Sequence, residues 1–378
     1  MIAAQSARGV RVGDGGIIRS LDLFAGAGGL TEGLHSAAPG RFRTVRAVEW
    51  DAAAAATFEA NHGDGVAYAG SIESWLESED VPEVDLVVGG PPCQGFSALN
   101  RARVGAERNQ LWERYADTIV RASPKWFVLE NVSNFRKAPE YELFVAETEP
   151  GGRLADWTFS SHVLLAADYG APQMRRRTVV LGHRRDVAAP DWPLPSHHPW
   201  DYATVAEAFD ELDPMVRQTE LPERTTTYAG REFPGAFRTS ELHVTRSYTS
   251  KSRARFRHIP EGGNRFDLPD RLKSPCWLKH TTGSGDVMGR LRLNKPSVTI
   301  RTEFFKPEKG RYLHPTEDRA ITHQEAARIQ GFRDDYLWVG NKIEIARQIG
   351  NAVPVDLGRA IGAVIIAAAD DRPLDEVA

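Results

Sequence analysis

Cysteine is nearly missing from this chain: two among 378 residues, Cys93 and Cys276, without CxxC spacing. That excludes a disulfide framework and argues against a structural zinc site, so no metal is expected. Long apolar runs are missing too. The longest near the C-terminus, residues 360–369, is ten residues with a glycine inside, far short of the ~20 that a membrane span needs. The opening stretch MIAAQSARGVRVGDGG lacks the apolar centre of a secretion signal, so a cytoplasmic location is expected. No internal repeat is found. What the chain does have is 41% apolar residues, enough for real cores, and length for about two domains.

Net charge is also small, at −4, until it is divided along the chain. Residues 241–315 hold 16 Lys/Arg against 7 Asp/Glu, while the remainder holds 31 against 44. Tyr248, Phe256, Phe266, Trp277, Phe304, Phe305 and Tyr312 are interleaved with those cations. Such a stretch suits a surface that grips phosphates and packs on bases; equally, it suits a solvated face over an aromatic core.

Chemistry gathers at predicted strand ends. Residues 84–88 (VDLVV) read as a buried strand, stopped by Gly89-Gly90-Pro91-Pro92 just before Cys93. A thiol beyond the carboxyl end of such a strand stands where open α/β sheets build active sites. It is either a nucleophile or a packing cysteine behind a tight turn. Residues 17–24 read as a strand running into Ala25-Gly26-Ala27-Gly28-Gly29 and a helix from Leu30. Those glycines let backbone approach a ligand, or serve only helix–strand packing. A second strand, residues 44–48, ends at Glu49-Trp50, near the offset at which dinucleotide-type folds place a carboxylate on a ribose. Residues 125–129 deliver Glu130 to a strand end, as a proton donor or an ordinary cap. Arg175 and Arg177 fall on one face of a strand start and Arg176 on the other, as anion or carbonyl anchors or as solvated edge charges.

These residues occur in an order that resembles the bacterial DNA cytosine-5 methyltransferases. The landmarks are DLFAGAGGL (22–30), VEWD (48–51), GGPPCQGFS (89–97), ENV (130–132), QMRRR (173–177), THQEAARIQGF (322–332) and GNAVP (350–354). Amino-methylating relatives carry Asn/Asp-Pro-Pro-aromatic where this chain has Pro-Pro-Cys, which points to the ring carbon. The resemblance implies a Rossmann-like α/β methyltransferase sheet with a smaller target-recognition domain. The expected division is 1–188 catalytic and cofactor-binding, 189–318 target recognition, 319–337 hinge and 338–378 a return to the catalytic domain.

The resemblance also implies roles. Cys93 would add to carbon 6 of a cytosine flipped out of double-stranded DNA. Glu130 would hold a proton on ring N3, Arg177 would contact the base carbonyl, and Arg175 would support the cysteine loop or a phosphate. S-adenosyl-L-methionine would supply the methyl group. Its adenine would lie against Phe24, bordered by Trp50 and Pro92, with Ala25, Gly26, Gly28, Gly29 and Leu30 around its methionine end. Glu49 would accept the ribose hydroxyls, and Ile72, Leu111, Asn351 and Val353 would complete the pocket. Where the family commonly has aspartate for the adenine amino group, this chain has Ser71, a neutral acceptor. Gln94, Ser97, Arg101, Arg103, Arg253, Arg255 and Arg257 are the expected DNA contacts, and residues 98–110 a closing lid. A monomer without a membrane partner is expected, nucleoid-associated when acting, with a cognate restriction enzyme or defence-system partner left open.

Three alternatives stay in view. A tRNA cytosine methyltransferase of this fold would carry a Cys-Phe-Thr element that this chain lacks. A non-catalytic cofactor- and DNA-binding module would not need Cys93, Glu130 and Arg177 together. An unrelated thiol enzyme would need a partnering His or Asp, and none can be named.

Overall fold

A computed structural model describes residues 16–92, 111–279 and 282–371. Its strands are β1 (Ile18–Leu23), β2 (Phe42–Glu49), β3 (Ala67–Ala69), β4 (Leu86–Gly89), β5 (Trp126–Val132), β6 (Trp157–Leu165), β7 (Gln173–Met174), β8 (Arg176–Arg184), β9 (Thr225–Tyr228), β10 (Arg231–Arg238), β11 (Ser297–Val298) and β12 (Leu337–Val339). Its helices are α1 (Gly29–Ala37), α2 (Ala52–His62), α3 (Ile72–Ser78), α4 (Leu111–Ala122), α5 (Pro139–Ala146), α6 (Val205–Ala208), α7 (Ser250–His258), α8 (Pro275–Lys279), α9 (His323–Ile329), α10 (Lys342–Asn351) and α11 (Val355–Ala369).

Seven strands form one sheet in the order β3-β2-β1-β4-β5-β8-β6. The first five are parallel, and β8 runs antiparallel to both β5 and β6. This is the expected Rossmann-like α/β sheet. Strand order reverses between β1 and β4, where Leu23 pairs with Gly89, so the crevice beyond those two carboxyl ends is the switch point for a ligand. The central strands read as unbroken apolar runs because both faces are covered. Leu86, Val88, Val128 and Leu181 pack on one side with Leu357, Ile361 and Ile365 of α11. Val87, Phe127 and Val180 pack on the other with Trp112, Tyr115 and Ile119, the inward face of α4.

Helix starts follow local chemistry. Asp51 caps α2 by accepting from the N–H groups of Ala53 and Ala54. Thr322 and Glu325 form the capping box expected at the start of α9. Pro354 precedes α11, which runs to Ala369 as its apolar periodicity predicts. α11 lies against α1 so closely that a Cβ on Gly33 would fall 2.5 Å from the Gly358 Cα. Among the described residues no single helix is long and apolar enough to cross a membrane.

A second core gathers Phe237, Leu242, Leu291, Ile300, Phe304 and Tyr312 with Ala326, Ile329, Phe332, Trp338 and Ile349. β10 pairs with β12, so the chain after residue 319 enters this unit before α11 packs on the seven-stranded sheet. A small cluster of Phe256, Ile259, Leu268, Met288 and Leu313 underlies the basic stretch.

Candidate active site

The crevice at the switch point is made of turns and strand ends. After β1, Phe24, Gly26 and Gly28 take positive φ values of 57°, 56° and 85°, folding the chain sharply into α1. Nothing lies within 4 Å of where a Gly26 Cβ would stand, so backbone is open to the crevice there. Glu49 ends β2 beneath this turn. Its Oε2 accepts the Gly26 N–H and its Oε1 the Asp51 N–H, both at 2.8 Å, leaving lone pairs on each oxygen. Burial pushes its carboxyl up to about 7. Asp22, also buried, accepts from the Thr31 hydroxyl at 2.6 Å and is raised to about 7 for the same reason.

Other expected cofactor residues surround that turn. Gly29 passes against the C-terminal segment, since a Cβ there would be 2.5 Å from the Val353 carbonyl oxygen. Trp50 is 67% exposed, a free indole face beside Glu49. Leu30 and Ile72 are buried in the flanking cores, and Leu111 opens α4 against the sheet. Ser71 accepts the Ser74 N–H as N-cap of α3, so its oxygen already serves the helix. Open backbone at Gly26, a buried carboxylate with spare lone pairs and an exposed indole fit a nucleoside-bearing cofactor.

Beside this crevice the antiparallel pairing of β5 and β8 sets Val132 opposite Arg177. The Arg177 Nε and Glu130 Oε1 stand 2.6 Å apart, in a pair only 13–15% exposed. The chain leaving β4 runs directly over that pair: a Cβ on Gly90 would be 3.0 Å from Glu130 Oε2. Asn131 Nδ2 donates to the Pro91 carbonyl at 3.0 Å and pins the same loop. Cys93, Gln94, Ser97, Arg101 and Arg103, with the lid at 98–110, lie outside the described residues.

Arg175 is withdrawn from solvent, while the cysteine loop of its other expected role lies outside the described residues. It is 2% exposed, and its guanidinium donates to the carbonyls of Ile300 (2.8 Å) and Gly350 (3.1 Å), away from any phosphate in solvent. Burial holds its pKa well below the usual guanidinium range. The basic stretch is likewise divided. Arg253 is exposed and has no side-chain partner among the described residues. Arg257 pairs with Asp318, while Arg255 donates to the Leu272 carbonyl and covers the Trp277 ring. Phe256, Phe304 and Tyr312 are buried, which makes them core rather than base-stacking platforms; Phe266 is exposed. No group of three or more metal-ligating side chains occurs among the described residues.

Sequence reasoning missed a buried amide pair. Gln173 Nε2 donates to Gln330 Oε1 at 2.7 Å, joining two of the quoted motifs. The available signal was alternation, which the burial follows: Gln173 and Arg175 are buried, Met174 and Arg176 exposed.

A family model described as C-5 cytosine-specific DNA methylase matches residues 18–367. Similar curated proteins include the Type II methyltransferase M1.HphI of Haemophilus parahaemolyticus, 30% identical over 92% of this chain and 86% of that protein. Another is M.XorII of Xanthomonas oryzae pv. oryzae, 31% identical over 93% and 85%. Among solved structures, a prophage-encoded E. coli protein described as a DNA modification methyltransferase superposes with a TM-score of 0.69 at 22% identity. It covers 93% of this chain and 99% of its own. The S. pombe Dnmt2 methyltransferase gives 0.55 at 16%, over 94% and 98%, and both likenesses concern the fold.

Proposed function

Since the chain belongs to the C-5 cytosine-specific DNA methylase family, we propose that it methylates carbon 5 of a flipped-out cytosine at a specific site in double-stranded DNA. The observation that carries this is the Glu130–Arg177 pair directly beneath Gly90 and Pro91, the stub that leads to Cys93. Carbon 5 of cytosine is a poor nucleophile, and activation at carbon 6 solves that problem. The Cys93 thiolate forms a bond to carbon 6, and the displaced electron pair moves into the ring toward N3. Glu130 holds a proton at N3, and Arg177, bound to Glu130, faces the base carbonyl. S-adenosyl-L-methionine, when bound, supplies the methyl group that carbon 5 takes up. Loss of the carbon 5 proton to a water then returns the electron pair, and the Cys93–carbon 6 bond breaks. Glu49 would hold the ribose hydroxyls, Phe24, Trp50 and Pro92 would flank the adenine, and the Gly26–Gly29 backbone would bound the methionine end. Residues 189–318 choose the site. The similar Type II methyltransferases suggest a modification enzyme that protects host DNA alongside a restriction enzyme.

The test is transfer of labelled methyl from S-adenosyl-L-methionine to duplex DNA, with tRNA in parallel. Label in DNA as 5-methylcytosine is expected, and Cys93→Ser abolishes it while still binding S-adenosylhomocysteine. Duplex carrying 5-fluorocytosine should trap the chain through Cys93. A trap on Cys276, or label in tRNA alone, overturns the reading.

A further inference from the structure

Two motifs remain without a task in this chemistry: the Gln173 and Arg175 positions of QMRRR, and Gln330 of THQEAARIQGF. Their side chains meet in one buried knot. The Ile300 N–H donates to Gln173 Oε1 at 2.8 Å, Gln173 Nε2 donates to Gln330 Oε1, and Gln330 Nε2 donates to the carbonyls of Ile349 and Ala352. Beside that chain of bonds runs a second bridge, in which Arg175 takes the Ile300 carbonyl with one nitrogen and the Gly350 carbonyl with another. Both polar groups of the Ile300 backbone are therefore tied, by separate routes, to residues 349–352. Direct contact reinforces the bridges, because a Cβ on Gly350 would fall 2.4 Å from the Thr302 backbone nitrogen.

The two ends of this knot belong to different tasks. Ile300 follows β11, at the end of the stretch assigned to target recognition, and β11 is itself paired with β7. Residues 349–352 lead into Val353, whose carbonyl backs onto Gly29 in the turn over Glu49. Two residues beyond Arg175, near the start of β8, Arg177 reaches Glu130. Gln173, Arg175 and Gln330 are buried, so a shift of one end that did not move the other would leave amide or guanidinium groups unpaired. A buried polar group so orphaned loses its partner without regaining water. The two ends must move together or not at all.

We propose that Gln173, Gln330 and Arg175 are positioning residues that couple the seating of target DNA to the cofactor turn. DNA and cofactor then bind with positive cooperativity through Ile300. This rests on the functional reading above. Coupling of this kind is reciprocal and typically worth roughly 5- to 150-fold in affinity.

The recognised site is first found by bisulfite sequencing of a plasmid propagated with the wild-type chain. S-adenosylhomocysteine affinity is then measured by calorimetry on the full chain, alone and with a duplex of that site. The wild type should bind it at least about fivefold more tightly with DNA. In Gln330→Met and Gln173→Met, which keep shape but remove the bonds, that ratio should fall below twofold while affinity without DNA changes little. Gln348→Met is the control: an equally buried amide of α10, bonded instead to Thr57 and Val339. It should lose melting temperature yet keep the ratio. A wild-type ratio near one, an unchanged ratio in both variants, or equal loss in Gln348→Met overturns the coupling. A wild type that neither binds S-adenosylhomocysteine nor methylates DNA overturns the functional reading and the coupling with it. If one variant fails to fold, the other decides.

Discussion

Burial leaves two carboxyl groups changing charge near neutrality under one turn. For Glu49 and Asp22 the folded chain favours the neutral form, each being raised to about 7. Their stabilising contribution is therefore full below about pH 4 and is lost as pH rises through about 7. For Glu49 it amounts to roughly 3 kcal/mol at most. The cofactor-free chain should lose melting temperature from pH 5.5 to 8, and Glu49→Gln should flatten part of that loss. An ionised Glu49 accepts ribose hydroxyls better, so S-adenosylhomocysteine affinity should rise across the same window. Affinity that falls over this range removes Glu49 from the ribose. Glu130→Gln keeps the shape of the pair with Arg177 while removing its charge. It should lower kcat roughly 10²- to 10⁴-fold with little change in S-adenosylhomocysteine binding, as rapid-quench kinetics and calorimetry would report. At this scale the sequence placed Glu130 and Arg177 at strand ends, but their meeting depends on the β5–β8 register, which no local pattern encodes. Arg175 was less legible still, because its acceptor is a carbonyl 125 residues further on.

Helices and strands were read well wherever burial on both faces or a cap left a local mark, as in β4, the Thr322 box and the start of α11. Aromatic residues of the basic stretch were undecided, since Phe256, Phe304 and Tyr312 look the same in sequence whether they face bases or a core. The α1–α11 contact tests how far propensity reaches. Alanine in place of a helical glycine ordinarily gains about 1 kcal/mol. At Gly33, however, the new methyl would meet Gly358 Cα at 2.5 Å and the Val355 carbonyl at 2.6 Å, both backbone. Gly33→Ala should therefore destabilise by roughly 1–3 kcal/mol, and a raised melting temperature would show that the helices can part freely. Within α7, Arg253 and Lys251 are exposed cations with no side-chain partner among the described residues. Arg253→Ala should reduce the slope of log affinity against log salt by about 1, measured by fluorescence anisotropy on duplexes with and without the site. Arg255→Ala should instead lower the melting temperature, because its guanidinium holds Leu272 and Trp277.

Over the whole molecule, the stretch proposed for recognition and the strands that carry Glu130 and Arg177 are not cleanly separated in the chain. Ile300 and β11 belong by position to the recognition stretch, yet they are bonded to Gln173 and Arg175. A chimera that takes residues 205–290 from a relative should acquire that relative's methylation site and remain active. One that continues to residue 318 should lose activity unless it restores those bonds; bisulfite sequencing and methyl transfer would score both. If the shorter exchange keeps the original site, recognition lies outside it. The packing of α11 on α1 has a different kind of consequence, one of time. Leu30 and Leu34 leave the ribosome early, but their partners Leu357 and Ile361 follow some 330 residues later. At synthesis rates of about 5–20 residues per second, that apolar stripe stays uncovered for roughly 15–70 s. Until residues 349–353 have also emerged, the backbone at Gly29 lacks the Val353 neighbour that closes the turn over Glu49.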